Sequence, residues 1–150
     1  MKNESMKTVN DILKDKGRET YSIGPNATMC DALNLMAEKN IGAVVVIEND
    51  QVVGIMSERD YARKVVCSSR TTLDILVKEI MTPHVYHVEL ETSVEECMVL
   101  MTNKKIRHLP VFEKEKFIGI ISIGDVVKFI TSHYEMMIEQ LSNYISGKYV

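Results

Sequence analysis

The apolar positions of the chain follow the same order of spacings twice. In each copy, apolar residues at helical spacing precede a continuous apolar run, a short polar turn and a second apolar run. The runs occupy 43–47 and 52–56 in the first copy, and 109–112 and 117–121 in the second. Each pair of runs predicts a β-hairpin with a helix before it.

Four pairs of residues mark the starts of predicted helices. In each pair, a hydroxyl residue precedes an acidic residue by three positions, the spacing at which the two side chains bond each other's main chain. The pairs are Thr28 with Asp31, Ser57 with Asp60, Ser93 with Glu96, and Ser122 with Asp125. With a short strand at the start of each copy, they predict the order strand, helix, strand, strand, helix.

Both copies carry the motif Gly-x-x-Ser-x-x-Asp, at 54–60 and 119–125. The second follows the first by 65 residues, the difference between positions 54 and 119, and the match runs without a gap back to Ser22 and His87. A repeat at fixed period identifies the structural unit. Because neither unit can bury its own apolar sheet, we predict an α+β fold of two βαββα repeats packed around a pseudo-twofold axis.

A second similarity lies upstream of each copy. Residues 9–13 resemble 77–81, with three extra residues in the first copy, and we place 14–18 in the longer loop that they form. The glycine of each motif predicts a close approach of another group to the strand. The predicted boundaries are 8–66 for the first repeat with its lead-in helix, 67–76 for a linker, 77–131 for the second repeat, and 132–150 for a C-terminal helix and tail.

The tail differs from the repeats. Its apolar residues recur with a period near 3.6, which predicts a helix that ends before Gly147. The apolar stripe of this helix either packs on the repeat pair or contacts another chain.

Composition argues against several classes of function. A net charge of −3 over 150 residues offers no footprint for nucleic acid, and no apolar run is long enough to span a bilayer. Cys30, Cys67 and Cys97 are too widely spaced for a disulfide scaffold, which predicts a reducing, cytoplasmic location with Cys67 as the exposed thiol. His84 and His87 have no acidic or cysteine cluster to complete a metal site, and no catalytic constellation is evident.

Three segments carry a family resemblance: 41–46 and 106–111, each followed by the Gly-x-x-Ser-x-x-Asp motif, and 80–83 upstream of the second copy. They resemble the cystathionine-β-synthase (CBS) domain family in its tandem arrangement, the Bateman module, over roughly residues 8–131. The resemblance implies two clefts between the repeats that bind adenosine-type ligands such as AMP, ADP, ATP, NAD or S-adenosylmethionine. It also implies a homodimer, a non-catalytic role and no catalytic cofactor.

The motif residues have a chemistry that suits a nucleotide. A helix N-terminus offers unpaired N–H groups and partial positive charge to a phosphate, and Ser57 or Ser122 adds a hydroxyl donor there. Asp60 and Asp125, one turn into each helix, can accept the hydroxyls of a ribose. The alternative is that both pairs only cap their helices.

By the resemblance, each cleft also uses the segment before the first strand of the opposite repeat. Thr20 and Tyr21 would join the Asp125 cleft, and Tyr86 the Asp60 cleft. The basic residues Arg107 and His108 would hold phosphates, and we expect unequal clefts with a slight preference for that of Asp125. The full predicted set is Thr20, Tyr21, Ala43, Ile55, Ser57, Arg59, Asp60, Tyr86, Arg107, His108, Ile120, Ser122, Gly124 and Asp125.

Three classes of function follow from these observations. The first is a regulatory module that binds an adenine nucleotide and modulates a partner protein that the sequence does not identify. The second is a structural adaptor that binds no ligand and dimerises through its tail. An enzyme, such as a nucleotide hydrolase, is the least favoured because the sequence lacks a catalytic set.

Overall fold

The computed structural model describes residues 6–66 and 69–147. The first half of the chain forms α1 (Val9–Lys16), β1 (Ser22–Ile23), α2 (Met29–Lys39), β2 (Ala43–Glu48), β3 (Gln51–Ser57) and α3 (Glu58–Lys64). The second half forms α4 (Val77–Ile80), β4 (Val88–Glu89), α5 (Val94–Lys104), β5 (His108–Glu113), β6 (Lys116–Ser122) and α6 (Ile123–Ile145). The mixed α/β fold and the repeated order strand, helix, strand, strand, helix are confirmed.

The two sheets have the same topology. In each, a short first strand pairs in parallel with the central strand, which pairs antiparallel with the last one, in the orders β1-β2-β3 and β4-β5-β6. The hairpins turn on Asn49-Asp50 and Lys114-Glu115, all four at positive φ. Positive φ at both central residues is typical of a two-residue type I′ turn, which matches the twist of the strands. Both hairpin predictions are therefore confirmed.

The lead-in helices are exchanged between the repeats. Helix α1 buries Ile12 and Leu13 in the core of the second repeat, whereas α4 buries Val77 and Ile80 in the core of the first. Main-chain bonds accompany the exchange: the N–H of Val9 donates to Thr92 O at 2.9 Å, and that of Val77 donates to Ala27 O at 2.8 Å. Each sheet is thus completed by a helix that precedes the other repeat along the chain.

Helix α1 is longer than the sequence comparison indicated. Residues 14–16 were expected in a loop but form the last turn of α1, and Gly17 follows at a φ of 93°. Lys14 and Lys16 are good helix formers and carry positive charge near the C-terminus of the helix, where it is favourable. The glycine then supplies the conformation that ends the helix.

Helix α6 joins two elements that the sequence analysis separated. It runs for 23 residues from the second motif into the tail, so no break occurs at the predicted boundary at residue 131. The helix ends before Gly147, as predicted. Val126 is buried in the second core, whereas Ile138, Leu141 and Ile145 near the other end are exposed.

The motif glycines accommodate the exchanged lead-in segments. A Cβ atom at Gly54 would lie 2.5 Å from the sulfur of Met81 and 3.0 Å from the carbonyl oxygen of Thr82. At Gly119 it would lie 3.3 Å from a methyl group of Leu13. The predicted close approach is therefore made by the protein's own chain, and it is tighter in the first repeat.

This difference predicts unequal costs for the two equivalent glycine substitutions. Gly54→Ala should lower the free energy of unfolding by about 2 kcal/mol, because the main chain at Thr82 must move. Gly119→Ala should cost less than about 1 kcal/mol, since a leucine methyl group can shift. Gly24→Ala, where nothing lies within 4 Å, is the matched control. Urea denaturation measures all three, and equal losses at positions 54 and 119 would contradict the packing described here.

Candidate functional site

The two motif helices begin with the same reciprocal cap. The N–H of Asp60 donates to Ser57 Oγ at 3.1 Å, and the N–H of Ser57 donates to Asp60 Oδ2, also at 3.1 Å. In the second repeat, the N–H of Asp125 donates to Ser122 Oγ at 3.1 Å, and that of Ser122 donates to Asp125 Oδ2 at 2.8 Å. Each main-chain bond to the carboxylate uses Oδ2, so Oδ1 is left outside the cap.

A cavity of about 450 Å³ lies beside Asp60. It contains eight of the predicted residues and joins the two motifs, because its wall comes from both repeats. These residues are Ile55, Ser57, Arg59, Asp60, Arg107, His108, Ser122 and Gly124. Arg63, Thr82 and Lys105 also line it and were not predicted. Arg63 was accessible to sequence reasoning, since it follows Arg59 by one helical turn.

A second cavity, of about 360 Å³, lies beside Asp125. It brings together six predicted residues, again from both repeats: Tyr21, Ala43, His108, Ile120, Ser122 and Asp125. Lys16 and Lys39 line it as well and were not predicted.

The basic residues are unevenly divided between the cavities. Arg59, Arg63, Lys105 and Arg107 line the Asp60 cavity, whereas Lys16 and Lys39 line the Asp125 cavity. The charge distribution therefore favours phosphate beside Asp60, opposite to the slight preference expected from the sequence.

Two predicted residues line neither cavity. Thr20 is absent from both walls, and Tyr86 instead lines a third cavity of about 460 Å³ together with His84, His87 and Phe112. Tyr86 and its counterpart Tyr21 each carry a lysine ammonium 5.2 Å from the ring centre. Only Tyr21 of this pair lines one of the two cavities beside Asp60 and Asp125, which we call the motif cavities. Within the part of the chain that the structure describes, no cluster of three or more His, Cys, Asp or Glu could hold a metal.

The exposed edge of each last strand has a different partner. Ile55 exchanges two main-chain bonds with Thr82, of 3.0 and 2.9 Å. Its counterpart Ile120 accepts a hydrogen bond on its carbonyl oxygen from the ammonium of Lys16 at 2.6 Å. Main chain therefore covers this edge in the Asp60 cavity, whereas a side chain occupies it in the Asp125 cavity.

Lys16 also forms an ion pair inside the Asp125 cavity. Its Nζ lies 2.6 Å from Asp125 Oδ2. Burial raises the pKa of Asp125, but hydrogen bonds from Lys16 and from the N–H of Ser122 outweigh it, so the net pKa lies below the usual 3.8. Beside Asp60, Lys64 Nζ lies 3.7 Å from Oδ1 and donates to Ile80 O at 2.8 Å. No sequence motif marks Lys16, because the comparison of the two copies places 14–18 in a loop.

His108 lies where the two cavities meet and lines both. Burial, followed by the charges of Arg107 and Lys16, lowers the pKa of His108 to about 4. Its imidazole is therefore neutral near pH 7 and does not add the positive charge expected from the sequence, so Arg107 alone supplies charge at this pair. A Cβ atom at Gly42 would lie 3.5 Å from His108 Nε2, so a small residue faces the ring.

The described cysteines lie apart from both cavities. Burial, with a contribution from the charge of Glu96, raises the pKa of the Cys97 thiol to about 11, so this thiol stays protonated. Cys30 is half-buried. The prediction that Cys67 is exposed concerns a residue outside the described ranges.

The low pKa of His108 predicts a pH-dependent stability. In the unfolded chain His108 takes up a proton near pH 6.5, whereas in the folded chain it does so only near pH 4. The free energy of unfolding therefore falls as the pH falls through this window. The His108 contribution should make the protein about 2 kcal/mol less stable at pH 5 than at pH 7.5. Urea denaturation at both pH values should show a smaller difference for His108→Asn. An unchanged difference in the variant would contradict the burial of a neutral imidazole.

Comparison with known proteins identifies the repeated unit. The family model for the CBS domain matches residues 8–66 and 77–132. The chain is 36% identical over 151 residues to the mitochondrial CBS domain-containing protein CBSX3 of Arabidopsis thaliana, covering 95% of this chain and 73% of that protein.

Solved structures show the same fold. The CBS domain NE2398 superposes with a TM-score of 0.81 at 44% identity, over 84% of this chain and 98% of the other. The CBS domain pair of protein MJ0100, solved with 5′-methylthioadenosine and S-adenosyl-L-methionine, gives a TM-score of 0.75 at 21% identity, over 85% and 98%. The exchanged lead-in helices, the doubled motif and these matches lead to one conclusion: the chain belongs to the CBS domain family, as a tandem pair.

Proposed function

We propose that this CBS pair is a regulatory module that binds an adenine nucleotide between its repeats and modulates a partner protein. The observation that carries the proposal is the composition of the cavity walls. Each Ser-x-x-Asp cap lies in a cavity that residues of the other repeat complete, at Arg107 and Gly124 beside Asp60 and at Tyr21 beside Asp125. A ligand in either cavity would contact both repeats at once.

Electrostatics favour an anionic ligand. The Asp60 cavity combines the N-terminus of α3 with the side chains of Arg59, Arg63 and Arg107. Guanidinium groups pair with phosphate through two parallel hydrogen bonds, and the partial positive charge at the start of α3 adds to this attraction. We assign the phosphates of AMP, ATP or NAD to these three arginines, and the ribose hydroxyls to Asp60.

Coupling to a partner would follow from the exchanged helices. A ligand that pulls the walls of a cavity together shifts one repeat against the other, and the lead-in helices transmit the shift because each is fixed to the opposite core. CBS domains are generally regulatory modules rather than enzymes, and the MJ0100 pair is a relative in fold that was solved with adenosyl ligands. We extend both properties to this chain.

The cellular setting is part of the same proposal. A cytoplasmic location rests on the cysteine spacing alone. No helix in 6–66 or 69–147 has the length and apolar character needed to cross a bilayer.

Calorimetry with AMP, ATP, NAD and S-adenosylmethionine tests the binding directly. The protein should bind at least one of them with a dissociation constant below millimolar, and Asp60→Ala and Asp125→Ala should each remove one site. Each substitution also removes a helix cap, at a cost of about 1 kcal/mol in stability.

A third capping box provides the matched control. Asp31→Ala removes the same kind of bond, from the N–H of Thr28 to Asp31 Oδ2 at 3.2 Å, in a box that lines neither motif cavity. It should lose similar stability and keep full binding. Absence of binding by ligand-free wild-type protein at millimolar nucleotide, or an equal loss in all three variants, would contradict the proposal.

The exposed half of α6 supports a second candidate, an adaptor that dimerises. Tyr134, Ile138, Leu141 and Ile145 recur at helical spacing on one face, and each is more than half exposed. Such a stripe normally packs against another surface. A homodimer through this face is compatible with nucleotide binding, and it is the whole function if the cavities bind nothing.

Light scattering over a range of concentrations tests the dimer. The wild-type protein should show a dimeric mass that Ile138→Glu combined with Leu141→Glu reduces to that of a monomer, because the charges would be buried at the contact. Gln140→Glu adds a charge to the same helix outside the stripe and should leave the mass unchanged. A dimer that persists in the double variant would show that α6 is not the interface.

A further inference from the structure

Lys16 is held in the wall of the Asp125 cavity by packing that does not involve its side chain. It is the last residue of α1, and Ile12 and Leu13 of that helix are buried in the second core. Leu13 lies against Gly119 on β6, one residue before Ile120. The main chain at Lys16 is therefore fixed beside the strand, while its four-carbon stem and ammonium can rotate.

The Lys16 ammonium donates hydrogen bonds to two groups that a nucleoside would use. It lies 2.6 Å from Asp125 Oδ2 and 2.6 Å from the carbonyl oxygen of Ile120. We extend the ribose role assigned to Asp60 to its counterpart Asp125, and the carbonyl oxygen of Ile120 in the same cavity is an acceptor that the amino group of an adenine can use. A nucleoside that makes both contacts must displace the ammonium.

The Asp60 cavity has no equivalent arrangement among the described residues. There the edge of Ile55 is bonded to main chain of Thr82, which no side-chain rotation can remove. The ammonium nearest to Asp60 belongs to Lys64, 3.7 Å from Oδ1, and bonds a carbonyl oxygen outside the motif. A movable side chain that competes with a ligand for its partners is thus found in the Asp125 cavity.

We propose that Lys16 is a specificity-determining residue: it occupies the nucleoside position of the Asp125 cavity and yields it to anionic nucleotides in preference to neutral nucleosides. This inference rests on the proposed function. A neutral nucleoside that displaces the Lys16 ammonium deprives this ammonium of Asp125 and offers it no other anionic partner. A nucleotide brings a phosphate that the released ammonium can contact, so part of the lost ion pair is recovered.

The ion pair is exposed enough to be exchanged by a ligand. The side chains of Lys16 and Asp125 retain 32% and 23% of their accessible surface. A pair with this exposure is weaker than a fully buried one, so a ligand of ordinary affinity can open it. Lys16 therefore acts as a selective competitor and does not seal the cavity.

Calorimetric titration with adenosine and with AMP, in an Asp60→Ala background that leaves only the Asp125 cavity, tests the inference. Lys16→Met should raise the affinity for adenosine roughly tenfold and lower the ratio of AMP to adenosine affinity by at least the same factor. Lys16→Arg keeps the charge and should keep the ratio. Lys14→Met removes a charge from the same turn of α1, outside both cavities, and is the matched control.

The outcomes separate the inference from the function on which it rests. If Lys16→Met leaves the ratio within twofold of its starting value, or if Lys14→Met changes it equally, the role of Lys16 is contradicted while nucleotide binding stands. If neither ligand binds any of these proteins and the wild-type protein also binds no nucleotide, the proposed function fails and the inference fails with it. A direct readout is the ammonium NMR signal of Lys16, which should shift when AMP is added to the Asp60→Ala protein.

Discussion

Burial of each sheet by the lead-in helix of the opposite repeat is the interaction on which the rest of the structure depends. A three-stranded sheet with the two helices of its own repeat still leaves apolar surface in water, and the buried side chains of α1 and α4 cover that surface from the other repeat's lead-in segment. The main-chain bridges at Thr8 with Ser93, and at Thr28 with Leu76, fix both helices at equivalent places. The two repeats therefore cannot separate without exposing both cores.

The same exchange creates the candidate sites and makes them unequal. Each lead-in segment contacts the last strand of the repeat that it covers, beside a motif glycine. In the first repeat, Thr82 reaches Ile55 through its main chain. In the second, α1 is one turn longer and Lys16 reaches Ile120 and Asp125 through its side chain. The difference in length between the lead-in segments thus becomes a difference in chemistry between the cavities.

Much of the fold could be predicted because it depends on periodic spacing and on local bonds. The capping boxes at Ser57 and Ser122, the hairpins and the end of α6 each follow from a few neighbouring residues. The exchange of lead-in helices could not be predicted, because a sequence repeat does not reveal which copy a helix packs against. The role of Lys16 was hidden for the same reason, since its partners Ile120 and Asp125 are distant in sequence. The neutral state of His108 depends on burial, which spacing does not report.

We propose that the two motif caps are ligand sites as well as helix caps. Amide chemical-shift mapping with AMP tests it most directly, because the third box at Thr28 and Asp31 has the same local geometry and lines neither motif cavity. We expect saturable shifts at 57–60, at 122–125, or at both, with little change at 28–31. Shifts of equal size in all three boxes, or shifts confined to residues outside the two cavities, would contradict it.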